Sequence, residues 1–421
     1  MTMAGKRVRF TINAFFGDNE IEVGFPEGWK VAEVRMAGHG APAMTDDQIR
    51  AALANPVGTP RLRELARGKQ RVCIIFDDLP KPTRADRIVP FVIEELHAGG
   101  ITDEQIRFVC APGTHRPLIY PELAAKLGAE IVQRYPVYNH SIWENLVFKG
   151  NTSAGTPVWI NREFDSCDLR LGIGSIFPHG GAGFGGGGKL ILPGISGIET
   201  IASHHSNPNL GRMPIGVVEG NKFREDIEEA ARLAGLMFKV DVVINEKREA
   251  IGLFCGDFVQ EHRAGVPLAR KTYATAIAKD ADIVVTNTYP DEGQMGRGHW
   301  MIPQALREGG DVVVLTHAHE GQNLHQLNSR FGTDYGGRGY KPGGRYPALA
   351  KAKRVFIMAP FLSKYDRDLA GPPEKVIWCR DWGAVLAELT SCHGPGTKVA
   401  VYPYAPLQMP VAELPAPEYE G

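Results

Sequence analysis

The sequence predicts an α/β protein with two α/β domains, mainly parallel sheets and an N-terminal β-hairpin. Three observations carry this. Short apolar, β-branched runs alternate with helical stretches, as in sheets wound with crossover helices. The pattern restarts beyond about residue 265. The 421 residues also exceed the ~250–300 that one core usually organises. The expected domains are residues 1–267 and 268–421.

In order along the chain, Val8, Phe10 and Ile12 alternate with polar residues, as do Ile21 and Val23, around Gly17-Asp18-Asn19. That is a hairpin pattern. Arg71–Phe76 (RVCIIF) reads as a buried strand ending in Asp77-Asp78, followed by a helix over Arg87–Ala98 that stops at Gly99-Gly100. Ile106–Cys110 and Leu169–Ile173 are further strands. The first ends in Pro112-Gly113-Thr114-His115, the second in a glycine cluster. In the second half, Arg270–Lys279 and Trp300–Glu308 read as helices. Asp282–Asn287, Asp311–Thr316, Arg354–Met358, Val376–Cys379 and Lys398–Tyr402 read as strands. The five prolines after Tyr402 predict an irregular tail. Ligands bind beyond the carboxyl ends of strands in such sheets. The polar segments after the three early strands are therefore candidates for one site.

Composition narrows the classes. With 43% hydrophobic and 23% charged residues the chain reads as globular rather than disordered. The 47 basic and 48 acidic residues nearly cancel, so there is no bulk basic signature for nucleic acid. No apolar run approaches the ~18 residues of a membrane span, and the first residues lack a secretory h-region. Six scattered cysteines without CxxC read as reduced thiols. The expectation is a cytoplasmic protein without nucleic-acid or membrane partners, its oligomeric state open.

Glycine is in excess, 49 residues against a usual ~7%. Eleven fall in residues 172–197, and six in 332–344. Glycine is used where the chain needs positive φ or close approach. Residues 178–205 read PHGGAGFGGGGKLILPGISGIETIASHH. Such a loop can present backbone N–H groups to an anion. Gly183–Lys189 satisfies the GxxxxGK half of a phosphate-binding loop. However, Leu190 stands where Ser or Thr holds Mg²⁺, and Pro193-Gly194 cuts short any following helix. Gly172-Ile173-Gly174 lacks the third glycine of a dinucleotide fingerprint. His179, Lys189, His204 and His205 frame the loop. Each alone reads as an ordinary surface or packing residue. Together they make a candidate site, lysine as a covalent anchor or phosphate clamp and histidine as ligand or proton carrier.

Four motifs in order, Asp77–Thr83 (DDLPKPT), Gly113–Pro117 (GTHRP), Pro178–Lys189 with Pro193–Ser196, and Glu199–His205 (ETIASHH), resemble the lactate racemase superfamily. The resemblance covers most of the chain. It implies a 2-hydroxy acid racemase or epimerase, an isomerase using a nickel-pincer nucleotide. That cofactor is a pyridinium-3,5-bisthiocarboxylic acid mononucleotide carrying nickel. It implies attachment of the cofactor at Lys189, with Asp78, Gly186, Gly187 and Gly188 beside it. Nickel would be held at Lys189's thioamide and at a histidine sixteen residues on, His205, with His204 next to it as the alternative. Two further histidines, His115 and His179, would work as acid and base on opposite faces of the substrate while the C2 hydride moves reversibly to the cofactor. For the substrate carboxylate, Lys81 stands where the family has an arginine, and Arg84 is the alternative. Gln294 and Arg297 match a family substrate-binding pair by spacing. The implied site lies in the interdomain cleft, with the second domain closing over the substrate. The implied partners are a small 2-hydroxy acid and the cofactor-synthesis enzymes. Two other classes stay open from the residues themselves: a phosphate-binding enzyme of P-loop type, and a non-enzymatic nucleotide- or metal-binding protein of the same fold. The second glycine cluster, Arg330–Tyr346, reads as a surface loop or as a basic flap. His317, His319 and His325 before it read more simply as loop residues than as metal ligands.

Overall fold

The computed structural model describes residues 5–293, 295–317, 347–361, 371–372 and 374–420. Gln294, His319, His325 and the 330–346 cluster therefore lie outside the described residues. The described chain forms two compact units, one from residues 40–272 and one from the residues before and after them.

In the 40–272 unit, six strands lie in the order Ala250–Gly256, Phe238–Ile244, Leu169–Ser175, Val72–Asp77, Ile106–Ala111, Val137–Asn139. All neighbours are parallel except Ala250–Gly256. Val72–Asp77 is buried at every position, which is why it reads as an uninterrupted apolar run. Helix Lys222–Ala234 begins where the Asn221 side chain accepts the Arg224 N–H and ends at left-handed Gly235. Its Phe223, Ile227, Ala230, Ala231 and Ala234 recur at helical spacing and pack with Ile75, Val109 and the Leu190–Ile195 segment in one core.

In the other unit, the parallel order is Val376–Cys379, Arg354–Met358, Leu306–Leu315, Ala281–Asn287, Lys398–Tyr402, Lys30–Glu33. The expected hairpin pairs Arg7–Ile12 with Asn19–Gly24. The domain expectation differs from the structure at the chain's start. Residues before 40 belong by contacts with the C-terminal unit, not with residues 40–267. The reason is physical: Lys30–Glu33 extends the C-terminal sheet. The alternating Val8, Phe10, Val23 and Phe25 bury one hairpin face in the core with Val285, Val313 and Phe356.

Two expected helices also change. The helix placed at Arg270–Lys279 runs instead over Gln260–Tyr273, through Pro267. The one placed at Trp300–Glu308 shrinks to Ile302–Ala305, because from Leu306 the chain extends as a strand beside Ala281–Asn287. No helix among the described residues is long and apolar enough to cross a membrane. All six cysteines are unpaired, five of them buried.

Candidate active site

The three early strands end level with one another. Phe76 pairs with both Cys110 and Ile173, so Asp78, the Gly113–His115 turn and the segment after Ser175 leave one sheet edge together. Below that edge Thr83 donates to Asp77, and its hydroxyl also bonds the Ser175 hydroxyl at 2.8 Å. Lys126, fully buried, sits 2.8 Å from Asp77 and also donates to the Lys81 carbonyl at 2.8 Å.

On the edge itself, His115 Nδ1 is 2.6 Å from Asp78 Oδ2, both side chains nearly enclosed. Burial alone would raise the Asp78 carboxyl. The charge and hydrogen bond of His115, with Lys81 and Lys126 nearby, outweigh it and hold the carboxyl below the usual range. An ionised carboxylate on Nδ1 fixes the ring and leaves Nε2 as the working nitrogen. Arg84 is turned elsewhere, paired through two nitrogens to Asp86 at 2.9 and 2.8 Å.

The Gly113 N–H donates to the Gly194 carbonyl at 2.9 Å, which stitches the His115 turn to the segment after Lys189. Lys189 is half-buried on a short 3₁₀ turn, Gly187–Leu190. The chain then makes another tight turn over Ile191–Ile195, and helix Ile198–Ser206 follows. No helix starts at the lysine and Leu190 is buried, so the P-loop alternative falls on geometry as well as on sequence. His179 pairs with Gly183 in a two-residue hairpin whose Gly181 N–H donates to the Met213 carbonyl at 3.0 Å.

The two adjacent histidines have different surroundings. His204 is fully buried, its Nδ1 2.6 Å from Asp226, its ring packed 4.0 Å from Phe223. Burial pulls its imidazole below the ordinary range against the opposing Asp226. His205 is half-buried and lines a cavity of about 380 Å³ with Ser206, Asn207, Pro208, Gly211, Arg212 and Phe223. Its Nδ1 lies 2.9 Å from the Ile201 carbonyl, which can only accept. The proton is therefore on Nδ1 and the lone pair of the neutral ring on Nε2, the arrangement common in metal-binding histidines. Lys189 and Arg212 both act electrostatically on His204, so the two cations gather around this pair of histidines. Among the described residues no three His, Cys, Asp or Glu side chains could hold a metal by themselves. A metal at His205 would need its other donors from a bound group. The His205 lone pair and a cavity of small-molecule size fit such a group, and Lys189, which does not line that cavity, is near enough for its charge to act on His204.

The glycines are less open than a ligand cradle suggests. A Cβ on Gly186 would meet Asp241 at 2.5 Å, on Gly187 the Phe258 carbonyl at 3.0 Å, and on Gly188 Ala231 at 3.0 Å. The cluster lets the loop pack into its own domain. Gly183 is the extreme case: φ is +76° and a Cβ would lie 2.1 Å from the Val217 carbonyl. Gly183→Ala is expected to destabilise by about 2–5 kcal/mol, read as a shift of the denaturant midpoint. An unchanged midpoint would contradict this packing account.

Arg297 lies in the other unit, its Nε 3.2 Å from Asp291. Sequence reasoning missed Arg212 and Asp226. Neither sits in a motif; the fold brings Asp226 to His204, and Arg212 follows His205 closely in the chain and lines the same cavity.

The Lactate racemase N-terminal domain family model matches residues 16–212. The lactate racemase of Lactiplantibacillus plantarum is 32% identical over 284 residues, 65% of this chain and 66% of that protein. The lactate racemase of Thermoanaerobacterium thermosaccharolyticum is 31% identical over 285 residues, 66% of each chain. The matched part thus spans about 66% of these relatives' length. Among solved structures, the lactate racemase apoprotein of T. thermosaccharolyticum superposes with a TM-score of 0.71 at 23% identity, covering 96% of this chain and 100% of that one. A Thermotoga maritima protein follows at 0.67 and 18%, covering 89% and 100%. The fold is thus shared with a lactate racemase structure, and the chain belongs to the lactate racemase family through its N-terminal domain.

Proposed function

We propose that the chain is a racemase or epimerase of a 2-hydroxy acid that works with a nickel-pincer nucleotide attached to Lys189. The observation that carries this reading is the His115–Asp78 pair on the same sheet edge as the Lys189 loop, joined to it by the Gly113–Gly194 hydrogen bond. When bound, the group supplies an acceptor for the substrate's C2 hydride. The chain does the rest. His205 would hold the metal through Nε2, and His204 anchors the helix through Asp226. Arg212, which lines the same cavity as His205, would serve as a cation for the nucleotide phosphate, and Asp78 and Gly186–Gly188 would be the cofactor-binding residues beside the attachment lysine.

His115 takes the hydroxyl proton at Nε2, and Asp78 stabilises the imidazolium that forms. His179 performs the same role for the opposite enantiomer. A planar 2-keto acid can then be rebuilt with either hand. The cofactor-synthesis enzymes are the implied partners.

For the substrate carboxylate, Lys81 is favoured over Arg84, because Arg84 is already paired with Asp86 and Lys81 acts on Asp78. Lys81→Ala is expected to raise KM about 10–100-fold, the loss of one charge-assisted contact, while Arg84→Ala changes it less than about threefold. Steady-state kinetics on both variants decides. A larger effect at Arg84 would reverse the assignment.

The reading itself is tested by offering protein co-expressed with the cofactor-synthesis enzymes each enantiomer of lactate, malate, aryl and sugar-type 2-hydroxy acids in deuterium oxide. Interconversion of at least one pair with its C2 hydrogen retained is expected. Full solvent exchange at C2 would point instead to an enolate route, and no interconversion by loaded protein would remove the reading.

A further inference from the structure

Under the Gly186–Lys189 turn lies a buried set of charges that the proposed chemistry does not use. Lys239 and Asp241 stand two apart on one face of the Phe238–Ile244 strand and pair with each other, both fully enclosed. Asp241's second oxygen, Oδ2, accepts the Gly187 N–H at 2.6 Å. Gly174 and Gly186 make room for it: a Cβ would lie 3.0 Å from Asp241 Oδ1 at the first and 2.5 Å from Oδ2 at the second.

The preceding stretch is held from another side. Buried Arg224 donates to the carbonyls of Ala182, Phe184 and Gly185, and His262 Nε2 donates to Gly185 at 2.8 Å. Glu261, also fully buried, has its carboxyl raised well above the ordinary range by burial and by Asp241's charge. Lys239's charge acts on it in the opposite direction.

A buried ion pair is weak as a source of stability, since apolar residues of the same volume often serve as well. What this pair supplies that apolar residues cannot is a fixed acceptor for one buried N–H. It does so where the backbone is least constrained: Gly186 and Gly187 are consecutive glycines at φ +78° and +57°. Lys189 follows two residues later. We propose that Asp241 is a positioning residue for Lys189, selecting through the Gly187 N–H the one turn that sets the lysine amine. Lys239 holds Asp241 in place. This rests on the reading of Lys189 as the attachment lysine.

Two double variants of the full chain separate the acceptor from the charge. K239M/D241N keeps a carbonyl oxygen for Gly187. K239M/D241L removes it, and neither leaves an unpaired buried charge. After co-expression with the cofactor-synthesis enzymes, the modified fraction of the Lys189 peptide is measured by mass spectrometry relative to folded protein. It is expected near wild type in the first and about tenfold lower in the second. In the cofactor-free proteins, hydrogen exchange in the peptide containing Gly187 is expected about tenfold faster in the second than the first. Equal modification or equal exchange in the two variants overturns the inference. Fast exchange at Gly187 in the unaltered protein does so without any variant. An unmodified Lys189 in loaded wild-type preparations overturns the attachment reading instead, and the exchange comparison still decides whether Asp241 holds the turn.

Discussion

His115→Ala is expected to lower kcat about 10²–10⁴-fold while leaving modification of Lys189 close to wild type, and to lower the unfolding midpoint as well, because Asp78 stays buried without its nearest partner. The imidazole lies 2.6 Å from Asp78 on the sheet edge, and Asp78 rests on a floor built by Asp77, Thr83 and Lys126. Removing the ring therefore empties a working position without opening the core. Asp78→Asn keeps the shape but removes the charge that orients the ring and stabilises its protonated form. It is expected to fall between wild type and His115→Ala. His179→Ala is expected to be selective, slowing one enantiomer more than the other. Rates measured in both directions from pure enantiomers check all three. Full activity in a His115→Ala, His179→Ala double variant would contradict the two-histidine chemistry.

The largest stability effect is expected at Asp226. Its carboxylate accepts from Thr152 and Thr156, at 2.5 and 2.8 Å, and from His204 Nδ1 at 2.6 Å, all of them buried. Burial alone would raise the carboxyl, but these three donors hold it below the usual range and so ionised at neutral pH. Asp226→Ala leaves three buried donors without an acceptor, and a cost of about 3–5 kcal/mol is expected. Asp226→Asn, which keeps one acceptor, should cost less. Urea unfolding at pH 7 measures both. The same variant should weaken metal binding at His205, whose helix Asp226 ties to the rest of the domain. A loss below about 1 kcal/mol would mean that the network is slack.

What could be seen in the sequence divides along physical lines. Strands such as Val72–Asp77 and Ile106–Ala111 were legible because they are buried on both faces and end in polar residues. The Phe238–Ile244 strand was not, because Lys239 and Asp241 break its apolar run. They are paired with each other, and no local pattern announces that. Helix Gln260–Tyr273 hid behind Gly265 and Pro267. Gly265 is needed there, since a Cβ would lie 2.3 Å from Ile176. The glycine cluster was visible as a functional segment, but its density has a second cause, close packing against Asp241, Val217 and Ala231.

The site residues that carry chemistry, His115, His179, Lys189 and His205, stand in local motifs and could be named. Of their supports, Asp226 and Asp241 lie well along the chain and needed the fold, while Arg212 follows His205 closely but stands in no motif. The fold also supplied grounds for preferring His205 over its neighbour: His204 is sealed against Phe223 and Asp226, whereas His205 lines a cavity.

The central claim is that Lys189 carries a nickel-bearing nucleotide beside His205. The most direct measurement is the mass of the Lys189 peptide, with nickel content, in protein co-expressed with the cofactor-synthesis enzymes, set beside Lys189→Ala and His205→Ala. The account predicts an adduct on Lys189 with nickel in wild type, neither in Lys189→Ala, and an adduct with little nickel in His205→Ala. An unmodified Lys189 in protein that is nevertheless active, or nickel retained in full by His205→Ala, would contradict it.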